Sequence, residues 1–143
     1  GDAWLASFTT EPETMRNLFD VYRGALPAGK SPEIPMCREC FLGASDTDAL
    51  EKCRDTLIAK YAAYASWDNA HVAADRPFAD RFDDFRRDRF LIGDAERMKD
   101  EIARYQDDLG VTTLLLRMNW PGTNFSDSLD SIKRFEAVIA HFA

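Results

Sequence analysis

The stretch DAERMKDEIARYQDDLGVTTLLLR, residues 94–117, joins a predicted helix directly to a predicted strand. Asp94 is a favourable N-cap residue, and Gly110 is a typical helix stop because glycine enters the left-handed region cheaply. Three apolar residues at helical spacing predict the buried face of this helix: Met98, Ile102 and Tyr105. The β-branched start and continuous apolar run of residues 111–117 predict a strand buried on both sides, as in parallel sheets.

Two similar strand-helix units precede this stretch. Compact apolar runs at residues 3–7 and 36–44 predict strands. Thr10 and Glu13 form a capping-box pattern ahead of the first helix, and Asp46 is the predicted N-cap of the second. The buried stripe predicted for the second helix contains Ala49, Leu50, Cys53, Leu57, Ile58 and Tyr61.

Two more amphipathic segments complete the pattern. Phe78, Phe82 and Phe85 recur at helical intervals among mixed charges, which predicts a covering helix without chemistry. A last helix is predicted from about Ser126. The residues predicted to face inward from it are Leu129, Ile132, Phe135 and Ile139.

Composition narrows the class of protein. The chain has 143 residues, 45% of them hydrophobic, which suits one compact domain. Its 18 basic and 25 acidic residues give a net charge of −7, which argues against binding to nucleic acid or to an anionic membrane surface. No apolar run reaches the roughly 18 residues that span a bilayer. We therefore expect a soluble, cytoplasmic protein.

The sparse cysteines and histidines predict packing rather than metal chemistry. Cys37 and Cys40 have the Cys-x-x-Cys spacing of zinc and thiol-redox sites, but they lie within a predicted strand, where residues three apart face opposite sides. The remaining soft candidates, Cys53, His71 and His141, are scattered, and we assign all of them structural roles. We expect no bound metal and no disulfide between Cys37 and Cys40, and a zinc or redox module is the least favoured function.

Strand-helix units in series predict parallel strands joined by crossover helices. A closed eight-stranded barrel needs about 250 residues, whereas this sequence offers three convincing strands and begins without a methionine. We therefore expect residues 1–143 to form a single partial domain of a larger α/β protein.

Three segments in order resemble the bacterial luciferase-like, flavin-dependent monooxygenases. The segment FLIGDAERMKDEIARYQDDLGVTTLLLRMNWPG, residues 90–122, is similar to that family's closing helix and last strand. GDAWLAS, residues 1–7, resembles its Gly-Asp-Gly-Trp strand, and RECFLGASDTDAL, residues 38–50, resembles its Arg-x-x-Phe/Tyr-Val-Ala stretch. The resemblance implies the C-terminal part, about three strand-helix units with parallel strands, of a TIM-type (β/α)8 barrel.

The same resemblance implies that the full-length protein binds FMN or a deazaflavin and uses the reduced flavin with oxygen to oxidise a small organic substrate. Barrel chemistry gathers at the C-terminal ends of strands, which here are residues 7–8, 43–45 and 117–120. The cofactor-binding candidates at these ends are Ser7, Arg117, Asn119 and Trp120. The catalytic residues are unknown, because the family's usual catalytic positions lie on the five strands that precede this segment.

Alternation along the last strand suggests how these candidates act. Arg117 and Asn119 share a face with Thr113, whereas Leu114, Leu116 and Met118 form an apolar face for the helices. Arg117 would hold an anionic reduced flavin or a substrate carboxylate, and Trp120 would stack on a ring or exclude water. The alternative roles are a structural ion pair for Arg117 and plain packing for Trp120.

A non-catalytic α/β module that binds a protein partner is the rival function. Three parallel strands leave two open sheet edges and an uncovered inward face at Thr113 and Leu115. We therefore expect the isolated chain to form a homo-oligomer and to have negligible affinity for flavin, since one wall of a pocket supplies little buried contact.

Overall fold

The computed structural model describes residues 4–67 and 76–143, and the expected role of His71 lies outside them. In chain order the elements are α1 (Pro12–Ala25), β1 (Pro35–Leu42), α2 (Asp46–Ser66), a short 3-10 helix (Phe78–Arg81), α3 (Phe82–Arg89), β2 (Phe90–Gly93), α4 (Ala95–Leu109), β3 (Thr113–Arg117) and α5 (Phe125–Phe142). The fold is therefore of the α/β class.

The three strands form a parallel sheet in the order β2-β1-β3, which confirms the predicted parallel arrangement. The first predicted strand, residues 3–7, is reduced among its described residues to one bridge between Ala6 and Met36. The chain turns immediately afterwards, where the Thr10 amide donates to the Ser7 carbonyl at 3.1 Å. Instead, β2 is the third strand of the sheet. Its four residues are too few for periodicity in the sequence to identify them as a strand.

Helices cover both faces of the sheet, and β1 contributes alternate side chains to two apolar cores. Met36, Cys40 and Leu42 pack with α1, α4 and α5. On the opposite face, Phe41 packs with α2, the 3-10 helix and α3. The predicted aromatic covering segment is confirmed, because Phe78, Phe82 and Phe85 are all buried in this second core.

The prediction that β3 is buried on both sides is wrong, whereas the expectation of an uncovered inward face at Thr113 and Leu115 holds. Leu114, Leu116 and Met118 pack against the first core as predicted, but Leu115 on the other face remains 44% exposed and Thr113 is exposed. The reason is that β3 lies at the edge of the sheet, whereas α2 packs on the opposite face mainly against β2 and to a lesser extent against β1.

The predicted helix boundaries hold in part. Asp94 caps α4 by accepting from the Arg97 amide at 3.0 Å, and Gly110 ends that helix with φ +67°, both as predicted. The Thr10 capping box is absent, because α1 starts after Glu11 with no side-chain cap. The N-cap of α2 is Ser45 rather than Asp46, since the Ser45 hydroxyl accepts from the Asp48 amide.

The inward face predicted for α5 is also wrong in part. Phe135 is buried as expected, but Leu129, Ile132 and Ile139 are 40–61% exposed. The buried positions are instead Ser128, Ser131, Phe135 and Val138. Small serines allow the helix to approach the sheet closely, and the Ser131 hydroxyl accepts from the Leu42 amide at 2.7 Å. None of the described helices is long and apolar enough to cross a membrane.

Candidate functional site

A buried carboxylate occupies the centre of the sheet face that α2 covers. Glu39 on β1 is fully buried, and its Oε1 lies 2.5 Å from Lys60 Nζ and 3.4 Å from Arg117 Nη1. The Tyr61 hydroxyl donates to the same oxygen at 3.4 Å. The β1–β3 register sets Glu39 opposite Arg117, while α2 supplies Lys60 and Tyr61. Two cations therefore share one carboxylate oxygen.

Aromatic rings enclose the ammonium of Lys60. Its Nζ lies 5.6–5.9 Å from the ring centroids of Phe8, Tyr61, Tyr64 and Trp120. Ring faces attract a cation, and the attraction grows when water is excluded. Burial and, secondarily, the Glu39 carboxylate raise the pKa of Tyr61, so its hydroxyl remains a neutral donor. The second helix thus brings a desolvated cation to the sheet.

Arg117 lies at the open side of this group. Its side chain is 35% exposed, and its guanidinium carbon lies 4.4 Å from the centroid of the Phe8 ring. Burial lowers the pKa of Arg117, but the Glu39 carboxylate and the Tyr64 hydroxyl more than offset this effect, so the net pKa is raised. The guanidinium is a permanent cation with part of its surface open to a ligand.

The structure brings some of the predicted cofactor-binding residues together and separates others. Arg117 and Trp120 both border Lys60, and Ser7 is adjacent in sequence to Phe8, which contacts both cations. Ser7 is exposed, with its Oγ 3.0 Å from Thr9 Oγ1. Asn119 follows the end of β3 and is directed toward α5, where its amide donates to the Ser128 hydroxyl at 3.1 Å.

Trp120 is a packed residue in this structure. Its side chain is buried, its Nε1 donates to Thr56 Oγ1 at 3.0 Å, and its ring meets Phe41 edge to face at 6.3 Å. Trp120 therefore forms part of the wall between α2 and the strand ends, and contact with a bound ring would require it to move.

The sequence reasoning missed Glu39, Lys60, Tyr61 and Tyr64 as members of the site. A signal was present on α2, because Lys60 lies three residues after Leu57 on the predicted buried stripe. A charged residue on an otherwise apolar helical face indicates a buried partner. The partner, Glu39, sits inside an apolar strand and shares that property.

Cys37 and Cys40 project to opposite faces of β1, as predicted. Cys40 belongs to the first core, while Cys37 is half-buried on the face of Glu39, and both thiols are free. His141 lies in the last turn of α5. In residues 4–67 and 76–143 no group of three acidic, cysteine or histidine side chains is arranged to hold a metal ion.

We expect Cys37 to react with a thiol reagent in the native protein long before Cys40 and Cys53. Burial raises the pKa of all three thiols, that of Cys53 to about 12, but Cys37 alone among them is partly accessible. Mass spectrometry after brief alkylation at neutral pH measures the order. Equal labelling of all three before unfolding would contradict this packing, and resistance of Cys37 that reductant reverses would indicate a disulfide.

Comparisons with known proteins relate the fold of this chain to that of larger proteins. No family model and no curated protein matches the chain. Among solved structures, 99% of the chain matches 42% of the monooxygenase RslO1 from Streptomyces bottropensis, with a TM-score of 0.73 and 22% identity. It also matches 45% of the apo-MsnO8 chain, with a TM-score of 0.64 and 17% identity.

The chain thus spans less than half the length of the structures it matches. At these identities the likeness concerns the fold. The three-stranded parallel sheet and its helices are similar to part of a larger monooxygenase fold.

Proposed function

We propose that the chain is the C-terminal part of a luciferase-like, flavin-dependent monooxygenase with a TIM-type barrel. The observation that carries the proposal is the match of 99% of the chain to the monooxygenase RslO1 at a TM-score of 0.73. The order of three sequence segments that resemble the family supports it independently. In such a barrel, the strand ends at residues 7–8, 43–45 and 117–120 belong to the mouth.

The charge and exposure of Arg117 suit a site for a reduced flavin, either FMN or a deazaflavin. The guanidinium carries five N–H donors, and its ion pair with Glu39 uses only part of this fork. Ser7 offers an exposed hydroxyl next to Phe8, whose ring lies against Arg117, and Asn119 and Trp120 continue the chain beyond Arg117. When bound, reduced flavin supplies two electrons, and one atom of O2 enters the substrate while the other leaves as water.

The residues of this chain would act by binding and by excluding water. Arg117 would fix an anionic part of the flavin or of the substrate, because a charge-assisted pair orients as well as attracts. Trp120 and Phe41 close the region between α2 and the strand ends to solvent. None of these roles needs a nucleophile or an acid-base pair from this part of the chain.

We expect Arg117→Ala to weaken flavin or substrate binding by about tenfold, the equivalent of about 1.4 kcal/mol, in the protein that carries this chain. The readout is titration with FMN and with a deazaflavin, followed by flavin fluorescence, and then with substrate candidates. Arg104→Ala is the matched control, because the Arg104 side chain is equally exposed but pairs with Glu101 on α4.

Two results would contradict the proposal in different ways. If the protein binds neither flavin, the monooxygenase assignment fails; if it binds flavin and Arg117→Ala changes nothing, the role of Arg117 fails. A stable oligomer without flavin affinity would instead favour the interaction module. The observation that supports this second candidate is the exposed apolar side of α5, with Phe125, Ile132 and Ile139, because such a surface is typical of a protein-protein interface.

A further inference from the structure

We propose that Arg117, Lys60 and Glu39 form an oxyanion-binding site for a small organic acid with an apolar body. This inference deepens the proposed function, on which it rests for the reaction, by naming the substrate class. It is carried by the balance of buried charge, by the position of the open cation and by the side chains that surround it.

The first step is the balance of charge. The chain has a net charge of −7, yet two cations converge here on one carboxylate. In the described part of the chain, Glu39 is the acidic residue within ion-pair distance of either Lys60 or Arg117. The group therefore has a surplus of one positive charge. Because a cation that is partly removed from water is costly without a counter-ion, a bound anion would be favoured here.

The second step is the unequal sharing of the Glu39 carboxylate. Its Oε1 lies 2.5 Å from Lys60 Nζ but 3.4 Å from Arg117 Nη1, while Oε2 is buried without a hydrogen-bond partner among the described residues. Because electrostatic attraction falls with distance, the Glu39 carboxylate neutralises the buried ammonium of Lys60 more than it neutralises Arg117. Arg117 is the less neutralised of the two cations, and it is also the accessible one.

The third step is the shape of the surroundings. Phe8 lies under the guanidinium of Arg117, Tyr64 is half-buried beside it, and Leu115 is 44% exposed two residues away on the same strand face. These side chains form an apolar surface next to the charged fork. A carboxylate or phosphate on an aromatic or aliphatic body matches both parts, because the fork donates to two oxygens of either group at once and the rings cover the body.

The charges that remain in each variant predict the direction in which its affinity for an anion changes. Arg117→Gln removes the open cation and should abolish anion selectivity. Lys60→Met leaves Glu39 to neutralise Arg117, so anion affinity should fall. Glu39→Gln leaves two cations without a carboxylate, so anion affinity should rise. A purely structural role for the Glu39–Lys60 pair would lower affinity in both variants through loss of fold.

The test is calorimetric titration of the whole protein that carries this chain with benzoate and with benzamide, its neutral counterpart. We expect saturable binding of benzoate, at least tenfold weaker binding of benzamide, and loss of that difference in Arg117→Gln. Arg104→Gln serves as the control and should behave like the parent protein. Circular dichroism checks folding, and Arg117→Gln remains decisive if the buried variants do not fold, because Arg117 is partly exposed.

A second arm separates the two sources of an oxyanion. If the flavin phosphate occupies the site, FMN will bind more tightly than riboflavin, Arg117→Gln will remove that preference, and benzoate will compete with FMN. This result would overturn the assignment of the site to a substrate acid. If the substrate occupies it, benzoate will bind alongside FMN. Equal affinity for benzoate and benzamide, or unchanged selectivity in Arg117→Gln, would overturn the oxyanion site. Because flavin binding is measured without benzoate, failure of the monooxygenase proposal is seen separately.

Discussion

Replacing Arg38 by methionine should lower the free energy of unfolding by about 3–5 kcal/mol, because it removes several hydrogen bonds from a buried cation, each worth about 1.5–3 kcal/mol before losses overlap. Arg38 is fully buried on β1, and its guanidinium donates to the carbonyls of Phe8, Cys37 and Thr10 at 3.2–3.3 Å. The side chain therefore ties the turn before α1 to the centre of the sheet. Methionine fills much of the volume but donates a hydrogen bond to none of these carbonyls.

Urea denaturation of Arg38→Met against the parent protein measures this loss. Arg16→Met is the matched control, because Arg16 also donates to a main-chain carbonyl, that of Asp108 at 3.1 Å, but on the exposed surface. We expect the control to change stability by less than about 0.5 kcal/mol. Similar costs for the two variants would show that the buried contacts of Arg38 contribute little.

The second large effect is expected at the Glu39–Lys60 pair. Glu39→Leu should cost about 3–5 kcal/mol, because it leaves the ammonium of Lys60 buried without a carboxylate. Lys60→Met should cost less, since Glu39 retains Arg117 as a partner. The double variant should recover part of the loss, because two apolar side chains leave no unpaired charge between them.

A double-mutant cycle in urea measures the coupling, which we expect to be about 1–3 kcal/mol. The exposed pair of Lys99 and Glu96, with an N–O distance of 2.7 Å, is the control and should show coupling below about 0.5 kcal/mol. If the buried pair couples no more strongly than this surface pair, water must reach Glu39 and the account of a desolvated site fails.

Features that depend on short stretches of sequence were predictable. The start and end of α4 follow from Asp94 and Gly110, whose capping and left-handed geometry are properties of single residues. The burial of Phe78, Phe82 and Phe85 follows from their spacing alone. These predictions hold because the tertiary packing uses the same helix ends and buries the same side chains that the local sequence favours.

Features that depend on distant partners were not predictable in this way. Lys60 and Glu39 each stand out as charged residues among apolar ones, but the sequence does not indicate that they pair, because the pairing depends on which face of the sheet α2 covers. The orientation of α5 depends on serines that approach the sheet, which a count of apolar residues misses. The alternation of side chains along β3 predicted Arg117 as a site candidate. That Arg117 shares the Glu39 carboxylate with Lys60 could be known only from the register between β1 and β3.

The neighbouring residues Arg38 and Glu39 give β1 a protection against slippage. Their side chains face opposite cores, one lined by carbonyl oxygens and the other by Lys60 and Arg117. A shift of the strand by one residue would turn the guanidinium toward two cations and the carboxylate toward carbonyl oxygens and Met15. Apolar side chains alone would tolerate that error far better, so this adjacent pair of opposite charges helps β1 to assemble in a single alignment.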